Sequence, residues 1–204
     1  MDNLLSGWLG HESSDIEEAE QPSKDLSLLH DGPIERRLRL GALHEAGHAV
    51  VLWWFSHCNV ASPPFQDITL SYEGGLADGS TPPIESRLID PQKAMPAAFL
   101  AGLYAQERYW ERKTVTIEQW RHHVAWAEAE PSYIVDMRNF GLRYPGNSKR
   151  NAAIDAALTE LLRIPTSWWL VAERLSEPIR EGHGMQAKDA ATFLTKEIAA
   201  IPSP

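Results

Sequence analysis

His44-Glu45-Ala46-Gly47-His48-Ala49-Val50-Val51-Leu52-Trp53-Trp54-Phe55 is the stretch on which the reading of this chain turns. From Ala49 to Phe55 it is apolar without interruption, which predicts a segment buried on all sides. The pattern extends back to Ile34 and stops before Asn59 and Pro63-Pro64, so a helix is expected over 34–57. On that helix His44 and His48 stand four residues apart, which puts both imidazoles on one face, one turn from each other. A catalytic zinc takes three protein ligands and keeps one position open, and two histidines at this spacing supply two of the three. Glu45, next to the first histidine, is placed to act as general base on a water. His-Glu-x-x-His is therefore a specific signal for a metal helix, and Zn is the expected cofactor.

The rest of the composition is that of an ordinary globular protein: 204 residues, 43% hydrophobic and 23% charged. The net charge of -9 is uneven. Residues 1–33 carry eight acids against one base, Lys24, and read as an acidic, flexible leader. The remaining twenty acids and eighteen bases nearly cancel, so residues 34–200 form a domain without the basic footprint of a nucleic-acid binder. A single cysteine, Cys58, excludes an internal disulfide framework and reads as a small buried hydrophobe. The uncharged run 49–66 is broken by His57, Asn59 and Pro63-Pro64, too polar for a membrane span; a cytoplasmic location without membrane contact is expected.

Beyond the first helix, Asp67-Ile68-Thr69-Leu70-Ser71-Tyr72 alternates with Ile68, Leu70 and Tyr72 on one face and predicts a strand. Gly74-Gly75 and Asp78-Gly79 read as turns of a hairpin. Helices are expected at about 91–112, 117–130, 149–162, 166–176 and 186–199, with Pro131, Pro165 and Pro178 as breaks. The fold class is mainly α with a small β-hairpin after the metal helix. Trp53, Trp54, Trp168 and Trp169 are expected as core or interface aromatics and not as a ligand box.

The octet His44 to Val51 resembles the active-site helix of the FtsH-type zinc metallopeptidase family. Asp67-Ile68-Thr69-Leu70 followed by Gly74-Gly75, Gly79 and Thr81 is similar to that family's strand and glycine-rich hairpin. Leu100-Ala101-Gly102-Leu103-Tyr104-Ala105-Gln106-Glu107 resembles a later helix, and Asn139-Phe140-Gly141-Leu142 a later short segment. The resemblance spans roughly residues 36–195. It implies a helical peptidase domain that cleaves protein or peptide chains. The family's peptidase domain follows a membrane anchor and an ATPase domain; these 204 residues hold neither, and no phosphate-binding Gly-x-x-x-x-Gly-Lys-[Ser/Thr] run occurs.

The resemblance also implies an aspartate as third zinc ligand, on a helix that here reads Thr116-Ile117-Glu118-Gln119-Trp120-Arg121-His122-His123-Val124 and contains no aspartate. Glu118, His122 and His123 are the chemically sensible substitutes. Ile117, Trp120, Val124 and Ala127 form an apolar stripe at 100° per residue, which His123 flanks and the other two do not. His123 is the preferred ligand. Asp136 and Asp155 read as solvated or helix-dipole acids, and Glu107 as a surface acid or a partner orienting a ligand histidine.

The expected function is zinc-dependent hydrolysis of peptide bonds in unfolded protein or peptide substrates. Ile68, Leu70, Gly74 and Gly75 would bind the extended substrate by strand addition, and a separate ATPase or a homo-oligomer is the expected partner. The alternative is a non-catalytic binding or scaffold protein that retains the metal site.

Overall fold

The computed structural model describes residues 32–73, 76–111 and 134–201. The chain divides into two units, 1–31 and 32–204, and the fold below belongs to the second. The acidic leader lies outside the described residues except for Gly32 and Pro33.

Helix α1, Pro33–Trp54, begins with a proline whose missing N–H costs nothing at the first helical position. Every residue from Ala42 to Trp53 is buried, as the apolar run predicts. The helix ends three residues short of the expected His57. The Ser56 hydroxyl donates to the Trp53 carbonyl at 2.9 Å and Cys58 adopts a positive φ of 52°, so the chain turns away. Cys58 is exposed, correcting the buried reading: it sits in this turn and not on the core helix.

Around α1 pack α2 (Pro91–Glu111), α5 (Thr166–Glu181) and a three-stranded antiparallel sheet. Helix α3 (Ile134–Arg143), α4 (Asn147–Arg163) and α6 (Ala187–Ala199) complete the six helices among the described residues. The mainly helical class with a small sheet is the observed one. The expected helix over 117–130 lies outside the described residues. Three elements were not expected: α3, a single 3-10 turn at Glu85–Arg87, and the two-residue strand β3 at Gly184–Met185. Pro178, read as a break, lies inside α5, which continues to Glu181 because Leu175, Ser176 and Ile179 are buried and hold the last turns against the core. Trp53 and Trp169 are core aromatics, 6.5 Å from Phe65 and 4.8 Å from Tyr104, while the half-buried Trp54 and Trp168 pack against the core 4.8 Å from each other. No helix among the described residues is long and apolar enough to cross a membrane.

Strand β1 (Ile68–Glu73) pairs with β2 (Leu76–Ser80) in the register Thr69↔Ser80, Leu70↔Gly79 and Glu73↔Leu76. Asp78 and Gly79 are therefore strand residues and not a turn. Gly74-Gly75, the other expected turn, lies between β1 and β2 and outside the described residues. The sheet order is β2-β1-β3, with β3 paired to Ile68 and Thr69. Glycine is required at 184: its φ is +133°, and a Cβ there would stand 2.6 Å from the Ile68 carbonyl oxygen.

Candidate metal centre

Three elements converge on one point. Helix α1 brings His44, Glu45 and His48, all less than a tenth exposed. Helix α2 crosses α1 closely, because Gly47 has no side chain to meet Ala105 and the Ala101 carbonyl, each 2.7 Å from where its Cβ would be. Gly102 of α2 then lies against the His44 ring, with its absent Cβ position 2.4 Å from Nε2. Helix α3 brings Asp136, anchored by buried Met137 and Phe140 and clasped at its far end by Arg143, whose two terminal nitrogens bond the two oxygens of Glu85 at 2.7 and 3.0 Å.

Oδ2 of Asp136 lies 2.7 Å from His44 Nε2 and 3.2 Å from His48 Nε2. The two imidazoles meet edge to face with centroids 4.7 Å apart. One donor atom from each of the three residues falls within 4.8 Å of the others. Ligands at zinc-type distances of about 2.0–2.1 Å in a tetrahedron stand roughly 3.3 Å apart, so small shifts of these side chains bring them onto one ion. The tautomer is also suitable. His48 Nδ1 lies 2.6 Å from the Ala98 carbonyl oxygen, which only accepts, so Nδ1 carries the hydrogen and Nε2 is the atom that could face a metal. The group His44, His48 and Asp136 can hold a metal ion.

Charge around the cluster reinforces this. Burial opposes a charged His48, but the Asp136 carboxylate, through its charge and its hydrogen bond, outweighs that; with Glu45 and the Ala98 carbonyl it raises the His48 pKa to about 9. Burial alone would raise the pKa of Asp136; the charge of His48 and the hydrogen bonds from both rings hold it well below the usual carboxylate range. Without a metal, the Asp136 carboxylate thus favours the protonated form of His48.

Glu45 is fixed from the sheet side. The Thr81 hydroxyl lies 2.7 Å from Glu45 Oε2, and a Cβ on Gly79 would stand 2.7 Å from Oε1. Cluster and carboxylate open into a pocket of about 780 Å³. Residues 77–80 of β2 form one wall, and Leu52, Met95 and Phe99 give it an apolar region.

His44, Glu45 and His48 lie together, buried, on the pocket wall. His123, the preferred third ligand, lies outside the described residues with Glu118 and His122; the third donor that the structure does place at the histidines is Asp136. Asp136 sits in the first turn of α3, as the dipole reading has it, but its carboxylate also bonds the two imidazoles, which corrects the solvated reading. The available signal was the spacing of Met137, Phe140 and Tyr144, which makes a helical apolar stripe with Asp136 on its flank. Ile68 and Leu70 do not face the pocket. Their side chains are in the core, and β1 is the middle strand, bonded to β2 and β3 together at Thr69. Gly74 and Gly75 lie outside the described residues. Glu107 is a half-buried residue of α2, and Asp155 is a half-buried residue of α4. No protein-family model, no curated protein and no solved structure matches this chain.

Proposed function

We propose that this protein is a zinc-dependent metallopeptidase acting on unfolded protein or peptide chains. The observation that carries the reading is the buried Glu45 carboxylate beside the His44, His48 and Asp136 cluster, at the wall of an open pocket. Two imidazoles and one carboxylate are a donor set suited to zinc. Asp136 supplies the aspartate that the family resemblance asks for, from a helix further along the chain.

The ion, when bound, supplies Lewis acidity to a water and to a carbonyl oxygen. The chain's own residues do the rest. Asp136 and the two Nε2 atoms hold the ion. Glu45 takes the proton of the attacking water on a carboxylate oxygen and returns it to the leaving amine nitrogen. Strand addition moves from β1 to β2, which is an edge strand and lines the pocket over residues 77–80. An extended substrate would pair with that edge through its backbone. Such a mode admits only unfolded segments, so folded substrates would need a separate ATPase or an assembly of copies to feed them.

The test is Glu45→Gln in zinc-loaded protein. Hydrolysis of an unfolded substrate such as casein should fall at least about a hundredfold, the scale of general-base loss, with zinc content and thermal midpoint unchanged. Equal activity in the two proteins removes Glu45 from the mechanism. A wild type that binds zinc and cleaves nothing supports the scaffold alternative.

A further inference from the structure

The base in this reading is a flexible side chain, and its usefulness depends on where its oxygens point. Glutamate has three rotatable bonds, and a displacement of about 1 Å at a reacting group can cost a hundredfold in rate. Glu45 is 4% exposed, and its carboxylate is gripped from the segment that follows β2. The Thr81 hydroxyl, itself 7% exposed, lies 2.7 Å from Glu45 Oε2 and 3.2 Å from the Glu45 backbone oxygen. A hydroxyl has one hydrogen, and the shorter contact with the charged acceptor takes it. Oε1 makes no hydrogen bond among the described residues; it lies against Gly79, where a Cβ would stand 2.7 Å from Oε1, 2.7 Å from Cγ and 2.9 Å from Cδ. Gly79 is paired with Leu70 in the strand ladder and has no positive φ, so it is space and not backbone conformation that calls for glycine there.

We infer that Thr81 is the positioning residue of this site: it locks one oxygen of Glu45, leaving the other for the proton of water. Resting on the peptidase reading, this adds a link between two parts of the pocket. The residue that aims the base and the strand edge that would hold the substrate belong to one continuous segment, 76–81. The register of the bound chain and the direction of the base are thereby set by the same backbone. A solely structural Thr81, tying the hairpin to α1, would need only its bond to the Glu45 backbone oxygen. The shorter bond to the side chain is what the positioning role requires.

The experiment compares zinc-loaded full-length wild type, Thr81→Val, Thr81→Ser, Glu45→Gln and the Thr81→Val/Glu45→Gln double variant on one fluorogenic unfolded peptide. Valine matches threonine in shape and removes the donor. Expected for Thr81→Val are unchanged zinc content, a KM within about twofold and a kcat lower by about ten- to a hundredfold, the scale of a lost hydrogen bond to a charged group. Serine, which keeps the hydroxyl, restores kcat to within about threefold on the same scale. In the Glu45→Gln background, Thr81→Val has little further effect. If Thr81→Val is insoluble, Thr81→Ala against Thr81→Ser makes the same comparison. A wild-type kcat in the donor-less variant, an equal loss in serine and valine, or a full loss that persists without Glu45 overturns the positioning role and leaves the peptidase reading standing. A wild type that cleaves no peptide overturns both.

Discussion

Asp136 and His44 stand 92 positions apart in the chain, and Oδ2 of the one lies 2.7 Å from Nε2 of the other. Nothing local in sequence prepares this contact. It depends on α3 being held against α2 by buried Met137 and Phe140, so that its first turn faces the metal helix. An aspartate that only complemented a helix dipole would have no reason to point at two buried imidazoles.

The first prediction follows from that contact. Asp136→Ala removes one of three protein ligands and should weaken zinc binding by more than about a hundredfold, beyond the ten- to hundredfold cost of changes in the outer shell. Competition with a chromogenic chelator measures it. His123→Ala, the variant that the sequence nominates, should keep wild-type affinity. The reverse result would move the third ligand to residue 123.

What the sequence carried is the local part. Ala49 to Phe55 announces a buried helix, and the spacing of His44 and His48, with Glu45 beside the first, announces a candidate metal site, because on a helix four residues fix a direction. The alternation at Ile68, Leu70 and Tyr72 announces β1, but not that both its edges are occupied. Strand β3 is two residues long and has no periodicity to read; its pairing is set by Gly184 fitting under the Ile68 carbonyl. Asp136 was missed because α3 has only ten residues, and its apolar stripe of Met137 and Phe140, continued by Tyr144 just past its end, is too short to stand out beside Gly141. Thr81 was visible only as part of a resemblance, since a side-chain bond across 36 positions leaves no pattern.

A second prediction concerns pH. The folded pKa of His48, about 9, lies above its ordinary 6.5. In the metal-free protein its ion pair with Asp136 therefore stabilises fully below about 6.5 and is lost as pH rises through 9. Asp136 is shifted the other way, from an ordinary 3.8, so its share is present above that value and lost in stronger acid. Zinc reverses the upper limb, because it must displace the Nε2 proton. Apparent affinity should rise by up to about tenfold per pH unit between 6 and 9 from this one group, with close to one proton released per ion at pH 7. Calorimetry in buffers of different ionisation enthalpy counts that proton. Affinity flat across this range would show that His48 is already neutral.

A third prediction tests the clasp at the other end of α3. Arg143 and Glu85 are both more than a third exposed, so breaking their ion pair should cost under about 1 kcal/mol of stability. Arg143 nevertheless bonds both Glu85 oxygens and pins the helix that carries Asp136. Arg143→Ala should leave the thermal midpoint nearly unchanged and lower zinc affinity severalfold, up to about the tenfold lower bound for outer-shell changes. An affinity identical to wild type would show that Met137 and Phe140 alone fix Asp136.

The last prediction separates packing from ligation with two glycines on crossing helices. Alanine at either position gains up to about 1 kcal/mol of helix propensity, so any loss comes from contact. At Gly47 the new methyl meets Ala105 and the Ala101 carbonyl at 2.7 Å, which forces α1 and α2 apart. At Gly102 it meets the His44 ring at 2.4–2.5 Å, which forces a ligand to move. Both variants should be destabilised, by about 1–3 kcal/mol as for overpacked cores. Only their response to zinc should differ in kind. Gly102→Ala cannot restore His44 to the cluster without undoing its own repacking, so zinc should bind weakly and raise its thermal midpoint little. Gly47→Ala leaves the space around all three donor side chains open, so zinc should still bind and recover much of the lost stability through mass action. Equal zinc stabilisation of both variants would mean that the His44 ring can rotate away from residue 102 and still reach the ion.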